Sequence, residues 1–190
     1  MAPLRNVANH GVPVFIVPGN HERSRIPLQL WTSHPNIHIF DKPRTYGVEV
    51  KGVKLGFSGF PFARKIRDQF RYLIGQTGFR EIEADVRFLC IHQAVEGSKV
   101  GPSDYTFRRG PDVLRGRDLP EGFAAILAGH IHRGQILTRD LQGQKIAAPV
   151  IYPGSIERTS FAERYEEKSY VILKIERTRN KNWETAEIFF

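Results

Sequence analysis

The stretch Val14-Phe15-Ile16-Val17-Pro18-Gly19-Asn20-His21-Glu22 joins an apolar run to a turn that carries an amide, an imidazole and a carboxylate. Such a run reads as a central strand of a sheet covered on both faces. Two later runs end the same way. Arg87-Phe88-Leu89-Cys90-Ile91 leads into His92, and Ala124-Ala125-Ile126-Leu127-Ala128 leads into Gly129-His130-Ile131-His132. In open α/β sheets ligands gather beyond the carboxyl ends of the strands, and neutral imidazole is the commonest metal-ligating side chain. Three strand ends carrying His or Asn therefore predict one metal site built from separate strands. His130 and His132, two apart in an extended segment, face one side. Either both rings reach one cluster, or each serves one of two adjacent ions.

Outward from these ends, residues 1–10 read as the end of a helix stopped by Gly11. It is unusual for a domain to open on a helix end that runs straight into a core strand, so the start looks cut. Residues 37–40 form a short strand, and 45–50 and 54–58 flank Lys51-Gly52 as a hairpin. Residues 62–77 have helical spacing, with Phe62, Ile66, Phe70, Leu73 and Ile74 on one face. Arg64, Lys65, Arg67 and Arg71 lie off that face, either as a solvated surface or as a binding one. Residues 97–122 form a long loop containing Arg108, Arg109, Arg115 and Arg117, and a loop of that length is usually functional or disordered. His34 and His38 are four apart, but Pro35 argues against a helix, and both are expected at the surface. After His132 the pattern turns to antiparallel strands: Gln135–Arg139, Lys145–Tyr152, 169–176 and 185–190. The expectation is a single α/β domain over residues 1–190, with a β-rich half stacking on the first.

The chain has 190 residues, a formal charge of +8 and a pI near 9.8. This balance favours anionic partners, nucleic acid first, unless it is simply a solvated basic surface. A single cysteine, Cys90, excludes an internal disulfide and a Cys-based zinc finger, and points to a reducing compartment. Within its apolar run Cys90 reads as a small buried hydrophobe. No run approaches the roughly 18 apolar residues of a membrane span, and Met1-Ala2-Pro3-Leu4-Arg5 is no signal peptide. A cytoplasmic protein that spans no membrane is expected. There is no Gly-x-Ser-x-Gly elbow and no Gly-x-x-x-x-Gly-Lys-Ser/Thr phosphate loop.

Gly19-Asn20-His21-Glu22, then His92, then Gly129-His130-Ile131-His132 resembles the calcineurin-like metallophosphoesterase superfamily. Its five ordered motifs are Asp-x-His, Gly-Asp-x-x-Asp, Gly-Asn-His-Asp/Glu, a lone strand-end His, and Gly-His-x-His. Tyr152-Pro-Gly-Ser-Ile-Glu-Arg-Thr-Ser-Phe-Ala-Glu163, followed by Glu167-Lys168-Ser169-Tyr170, resembles the SbcD branch, the nuclease subunit of SbcCD-type DNA repair complexes. The resemblance implies a four-layer α-β-β-α sandwich and a two-metal phosphodiesterase, usually manganese-dependent. It implies that Asn20, His92 and His130 bind one ion and His132 the other. His21 would stabilise the transition state or protonate the leaving oxygen, and Glu22 either orients His21 or a ligand histidine or is simply solvated.

The first two motifs do not occur in this sequence, and no Asp or Glu precedes Asn20. The fold is thus expected to lack its first β-α-β portion, and the donors to lack every carboxylate, which disfavours hard Mn²⁺. Partial ion occupancy or none, and little activity by this chain alone, are expected. The implied partners are DNA, an SbcC-like ATPase subunit and a second copy in a homodimer. Arg64, Lys65, Arg67, Arg71, Arg108 and Arg109 are the candidate nucleic-acid contacts. Two other functions fit the same sequence: a non-catalytic module binding nucleic acid or a partner, and a phosphodiesterase of small substrates.

Overall fold

Six strands form one mixed sheet: β3 (Arg44–Val50), β4 (Val53–Gly59), β5 (Val86–Ile91), β10 (Ala125–Ala128), β11 (Gln135–Arg139) and β12 (Lys145–Tyr152). Their spatial order is β11-β12-β10-β5-β4-β3. β4, β5, β10 and β12 run parallel, and β3 and β11 are antiparallel edges. This computed structural model describes residues 2–21, 34–177 and 183–189.

Side chains alternate across the sheet, as the strand period requires. On one face Leu89, Ile91, Ile126, Val150 and Tyr152 are fully buried, and Ile66, Phe70 and Ile74 of α2 (Ile66–Gln76) complete that core. The opposite face, with Phe57, Phe88, Leu127 and Ile151, is covered more thinly. Part of its cover is a separate parallel pair, β1 (Val14–Ile16) with β2 (Ile37–Ile39), whose Phe15 ring stacks 4.3 Å from Phe57. The other part is Val171 with Leu173 and Ile175 of β13 (Ile172–Arg177), a strand that pairs with β14 (Trp183–Phe189) as a hairpin. α1 (Ala2–Asn9) lies against β1 and buries Ala8. Between β1 and β13 an apolar cleft of about 560 Å³ remains, lined by Phe15, Val17, Phe57, Cys90, Leu127 and Leu173 among others.

Several expectations change. β1 is not a central buried strand: its residues are all half-buried, and among the described residues it pairs with β2 alone. The sheet centre belongs to β5 and β10, which have neighbours on both edges. α2 starts at Ile66 rather than at 62, because Lys65 sits at φ 51, a left-handed position from which no right-handed helix extends backwards. Only part of the β-rich half stacks on the first: β13 packs on the sheet's opposite face, whereas β12 pairs parallel with β10 and carries β11 as a new edge of the same sheet. The long loop is ordered by small ladders. β6 (Ala94–Val95) pairs with β9 (Val113–Leu114), and β7 (Lys99–Val100) pairs with β8 (Tyr105–Thr106). His38 is not simply a surface residue: its ring lies 4.9 Å from Phe15 and 4.7 Å from Tyr46. No helix among the described residues is long and apolar enough to cross a membrane.

Candidate active site

β5 and β10 are parallel neighbours with Ile91 opposite Ala128, so the residues that follow, His92 and Gly129, emerge side by side. The Gly129 N–H donates to the Ile91 carbonyl at 2.9 Å and fixes that register past the strand ends. A Cβ on Gly129 would stand 2.7 Å from His92 Nδ1, closer than real contacts allow, so only glycine lets the ring lie there. The next residue, His130, has φ 83. A non-glycine residue in that region costs about 1–3 kcal/mol and persists where its surroundings over-determine it. The two imidazoles lie 5.3 Å apart, with Phe62 5.7 Å from His130.

The third contribution crosses from the other layer. The chain leaves β1 through Val17-Pro18, and the Phe62 N–H donates to the Pro18 carbonyl at 2.9 Å, tying that exit to the end of β4. Asn20 Oδ1 then lies 3.1 Å from His92 Nε2 and 3.2 Å from His130 Nδ1. Burial first, then repulsion from His132 and His21, pushes the His130 pKa down. The ring therefore stays neutral and keeps its lone pair near pH 7.

His21 is exposed and lines a recess of about 370 Å³ with His130, His132 and Arg133. His132 meets a different set of partners. Its Nδ1 is 3.0 Å from Glu163 Oε1 and 3.1 Å from Thr159 Oγ1. Gly154 brings this segment in: a Cβ there would stand 2.9 Å from the Gly134 nitrogen and 3.0 Å from the His132 carbonyl oxygen. That carbonyl also accepts from the Ser155 N–H at 3.1 Å. Lys168 Nζ donates to Glu163 Oε2 at 2.5 Å, and the pair is nearly buried. Desolvation alone would raise the Glu163 pKa, but hydrogen bonds from His132, Lys168 and Thr159 outweigh it and hold the carboxyl well below its ordinary range.

The structure thus brings Asn20, His92 and His130 together, and sets His21 and His132 on the adjoining recess. Glu22 lies outside the described residues. Glu163, Thr159 and Lys168 carry no role in the motif pattern. Ser160-Phe161-Ala162-Glu163 reads as a Ser-x-x-Glu capping box, and a short 3₁₀ turn does follow at Phe161–Glu163. Yet Glu163 turns away from a capping role and reaches across to His132. Cys90, which lines the apolar cleft, is no nucleophile, since burial pushes its thiol up to about 12.

Among the described residues no group of three or more His, Cys, Asp and Glu comes together as an ion cage. What converges is two imidazole nitrogens and an amide oxygen. Donors about 2.1 Å from an octahedral ion and at right angles to one another stand roughly 3 Å apart. The 3.1 and 3.2 Å separations around Asn20 Oδ1 match that spacing. Neutral imidazole and amide oxygen also suit a divalent first-row metal. The residues present fit part of the coordination shell of one ion, with no carboxylate among them.

Among the basic candidates, Arg64, Lys65, Arg71, Arg108 and Arg109 are exposed. Arg67 is not one of them: it is partly buried, and its Nε donates to the Val113 carbonyl at 3.0 Å.

The first 134 residues match the family model for calcineurin-like phosphoesterases. The match covers more than half of the chain, and the chain belongs to that family of phosphoester hydrolases. Among solved structures, a protein from Staphylococcus aureus assigned as a 5'-nucleotidase, crystallised with alpha-ketoglutarate, is 14% identical, with a TM-score of 0.54. The likeness covers 98% of this chain and 39% of that one, so the chain spans about two fifths of that protein's length. A hypothetical protein from Thermus thermophilus is 15% identical, with a TM-score of 0.49 over 97% of this chain and 77% of that one. At such identities the first likeness is one of fold.

Proposed function

We propose that this chain carries the histidine-rich part of a metal-dependent phosphodiesterase site of the SbcD type, acting on DNA. The observation that carries the reading is the convergence of Asn20 Oδ1 on His92 Nε2 and His130 Nδ1 at 3.1 and 3.2 Å. Asn20, His92 and His130 would hold one divalent ion, Mn²⁺ by the family's habit, and His132 would serve a second. Ions bound there supply Lewis-acid polarisation of the phosphoester and a hydroxide nucleophile at neutral pH. His21, exposed on the recess beside His130 and His132, would hold the leaving oxygen and give it a proton.

DNA is the favoured substrate because exposed cations border this site. Phe62 lies beside His130, and Arg64 and Lys65 follow it. The Lys65 N–H donates to Asp112 Oδ1 at 2.5 Å, and the Arg67 N–H to the Pro111 carbonyl at 3.0 Å. These bonds set the start of α2 against the segment that follows Arg108 and Arg109. The same surface supports a second reading, a nucleic-acid-binding module without catalysis.

These residues offer no carboxylate to either ion. The chain alone is expected to bind Mn²⁺ weakly and to hydrolyse little. Metal-dependent cleavage is expected when an Asp-x-His and a Gly-Asp-x-x-Asp segment accompany it. The test is hydrolysis of bis-p-nitrophenyl phosphate and linear DNA with Mn²⁺ in both settings. His130→Ala is expected to lose metal binding. His21→Ala is expected to keep metal and lose roughly 10²–10⁴-fold in rate. Cleavage that ignores metal, or that survives His130→Ala, overturns the proposal. DNA binding that falls steeply with salt and is indifferent to metal, without cleavage in either setting, favours the second reading.

A further inference from the structure

Oxygen and nitrogen atoms from Ser155, Thr159, Ser160 and Lys168 surround the Glu163 carboxylate, and the one imidazole it meets is His132. The two carboxylate oxygens have different partners. Oε2 takes Lys168 Nζ at 2.5 Å, with the Thr159 N–H at 3.4 Å and Ser155 Oγ at 3.5 Å. Oε1 takes the Thr159 hydroxyl at 2.7 Å and Ser160 Oγ at 3.2 Å, and faces His132 Nδ1 at 3.0 Å. Thr159 Oγ1 also lies 3.1 Å from that Nδ1. A hydroxyl has one proton. Thr159 gives its proton to Glu163, so towards His132 it offers lone pairs, as the carboxylate does. Two acceptors converge on Nδ1, and a nitrogen facing two acceptors must carry the proton.

We propose that Glu163, clamped by Lys168 and Thr159, is a positioning residue that fixes His132 as its Nδ1–H tautomer. The lone pair is thereby reserved for Nε2, across the ring. This rests on the reading of His132 as a metal-facing residue of the phosphoesterase site. The hydrogen bond at one imidazole nitrogen decides which nitrogen is free to ligate, and carboxylates that orient ligating histidines commonly tune metal affinity. A free histidine side chain favours the opposite Nε2–H form, so without Glu163 the ring would present the wrong nitrogen for most of the time. Lys168 has the complementary task. By holding Oε2, it keeps Oε1 turned to the ring and compensates a charge that is almost excluded from water. The segment from Tyr152 to Lys168, whose motif pattern assigns it no chemistry, thus acts on the site through one imidazole.

The experiment is ¹⁵N-histidine NMR of the metal-free chain, with long-range ¹H–¹⁵N correlations and His132 assigned by its loss in His132→Gln. The wild-type chain should show Nδ1–H at His132. Glu163→Ala should move most of the population to Nε2–H. Glu163→Gln, whose amide oxygen still accepts, should keep Nδ1–H, and Lys168→Met should give a mixture. Unchanged Phe88 and Leu89 amide signals in each variant confirm that the sheet is folded. Wild-type His132 as Nε2–H, or an unchanged tautomer in folded Glu163→Ala, overturns the proposal. Mn²⁺ titration of the same proteins separates the two readings. A loss of about 10–100-fold in affinity in Glu163→Ala, smaller in Glu163→Gln, supports the positioning role. A wild-type chain that binds no Mn²⁺ in any setting counts against the metal centre, and the tautomer spectra still decide for or against Glu163.

Discussion

Gly129 and His130 are adjacent and meet opposite demands. The first must have no side chain, and the second must keep one on a backbone that disfavours it. Gly129→Ala places a methyl 2.7 Å from His92 Nδ1, so the ring has to leave. The expected outcome is a folded protein, destabilised by about 1–3 kcal/mol, whose Mn²⁺ affinity falls at least as far as in His92→Ala. Calorimetric titration of both variants checks it. Tyr152 makes a second residue-scale case. Its buried hydroxyl accepts from the Val95 N–H and donates to the Gln93 carbonyl, each at 2.9 Å. Tyr152→Phe strands both backbone groups and should cost about 1–3 kcal/mol in urea denaturation, with little change at the recess. The strand-end imidazoles were legible in the sequence because each terminates an apolar run, so position and chemistry coincide. Glu163 was not, because its partner His132 is 31 positions away and its local spelling matches a helix cap.

At the scale of elements, the β1–β2 pair responds to pH. His38 of β2 lies between Phe15 and Tyr46, and desolvation there lowers its pKa from the ordinary 6.5. The unfolded chain thus takes up a proton on this group before the folded one does. His38 therefore favours folding fully above about pH 6.5, and that contribution is lost as pH falls through the lower folded pKa. Denaturation midpoints are expected to drop as pH is lowered through 6 towards 5, and His38→Phe is expected to flatten that drop. A slope unchanged by the substitution would remove His38 from the account. The elements themselves were largely readable. The hairpin at Lys51-Gly52, the runs ending at His92 and Gly129, and the strands Gln135–Arg139 and Lys145–Tyr152 stand where hydrophobic patterning put them. Partnership was less readable. A short all-apolar run looks the same at the centre of a sheet and in a second layer, so patterning alone does not locate β1. Nor does anything within β12 say that it runs parallel to β10.

Across the whole molecule, the two faces of the sheet are unequally held. α2 and a continuous set of fully buried side chains cover one, whereas β1, β2 and β13 cover the other around an open cleft. The family and the mixed architecture were accessible from three ordered motifs, because a site assembled from strand ends presupposes the strands. The uneven cover was not, since it depends on how much apolar area each layer meets. The donors straddle this division: His92 and His130 ride on β5 and β10, and Asn20 on the exit from β1. An ion held by all three would act as a rivet between a firm layer and a loose one. Whatever binds only the assembled form stabilises it by mass action. Amide exchange of Val14, Phe15 and Ile16 is therefore expected to slow on adding Mn²⁺, while that of Leu89 and Ile126 stays as it was. Chelation should reverse the change, and equal slowing on both layers would count against it. The bond between Asn20 and two histidines then becomes a gauge. The firmness of one thin layer reports, residue by residue, how much ion the protein holds.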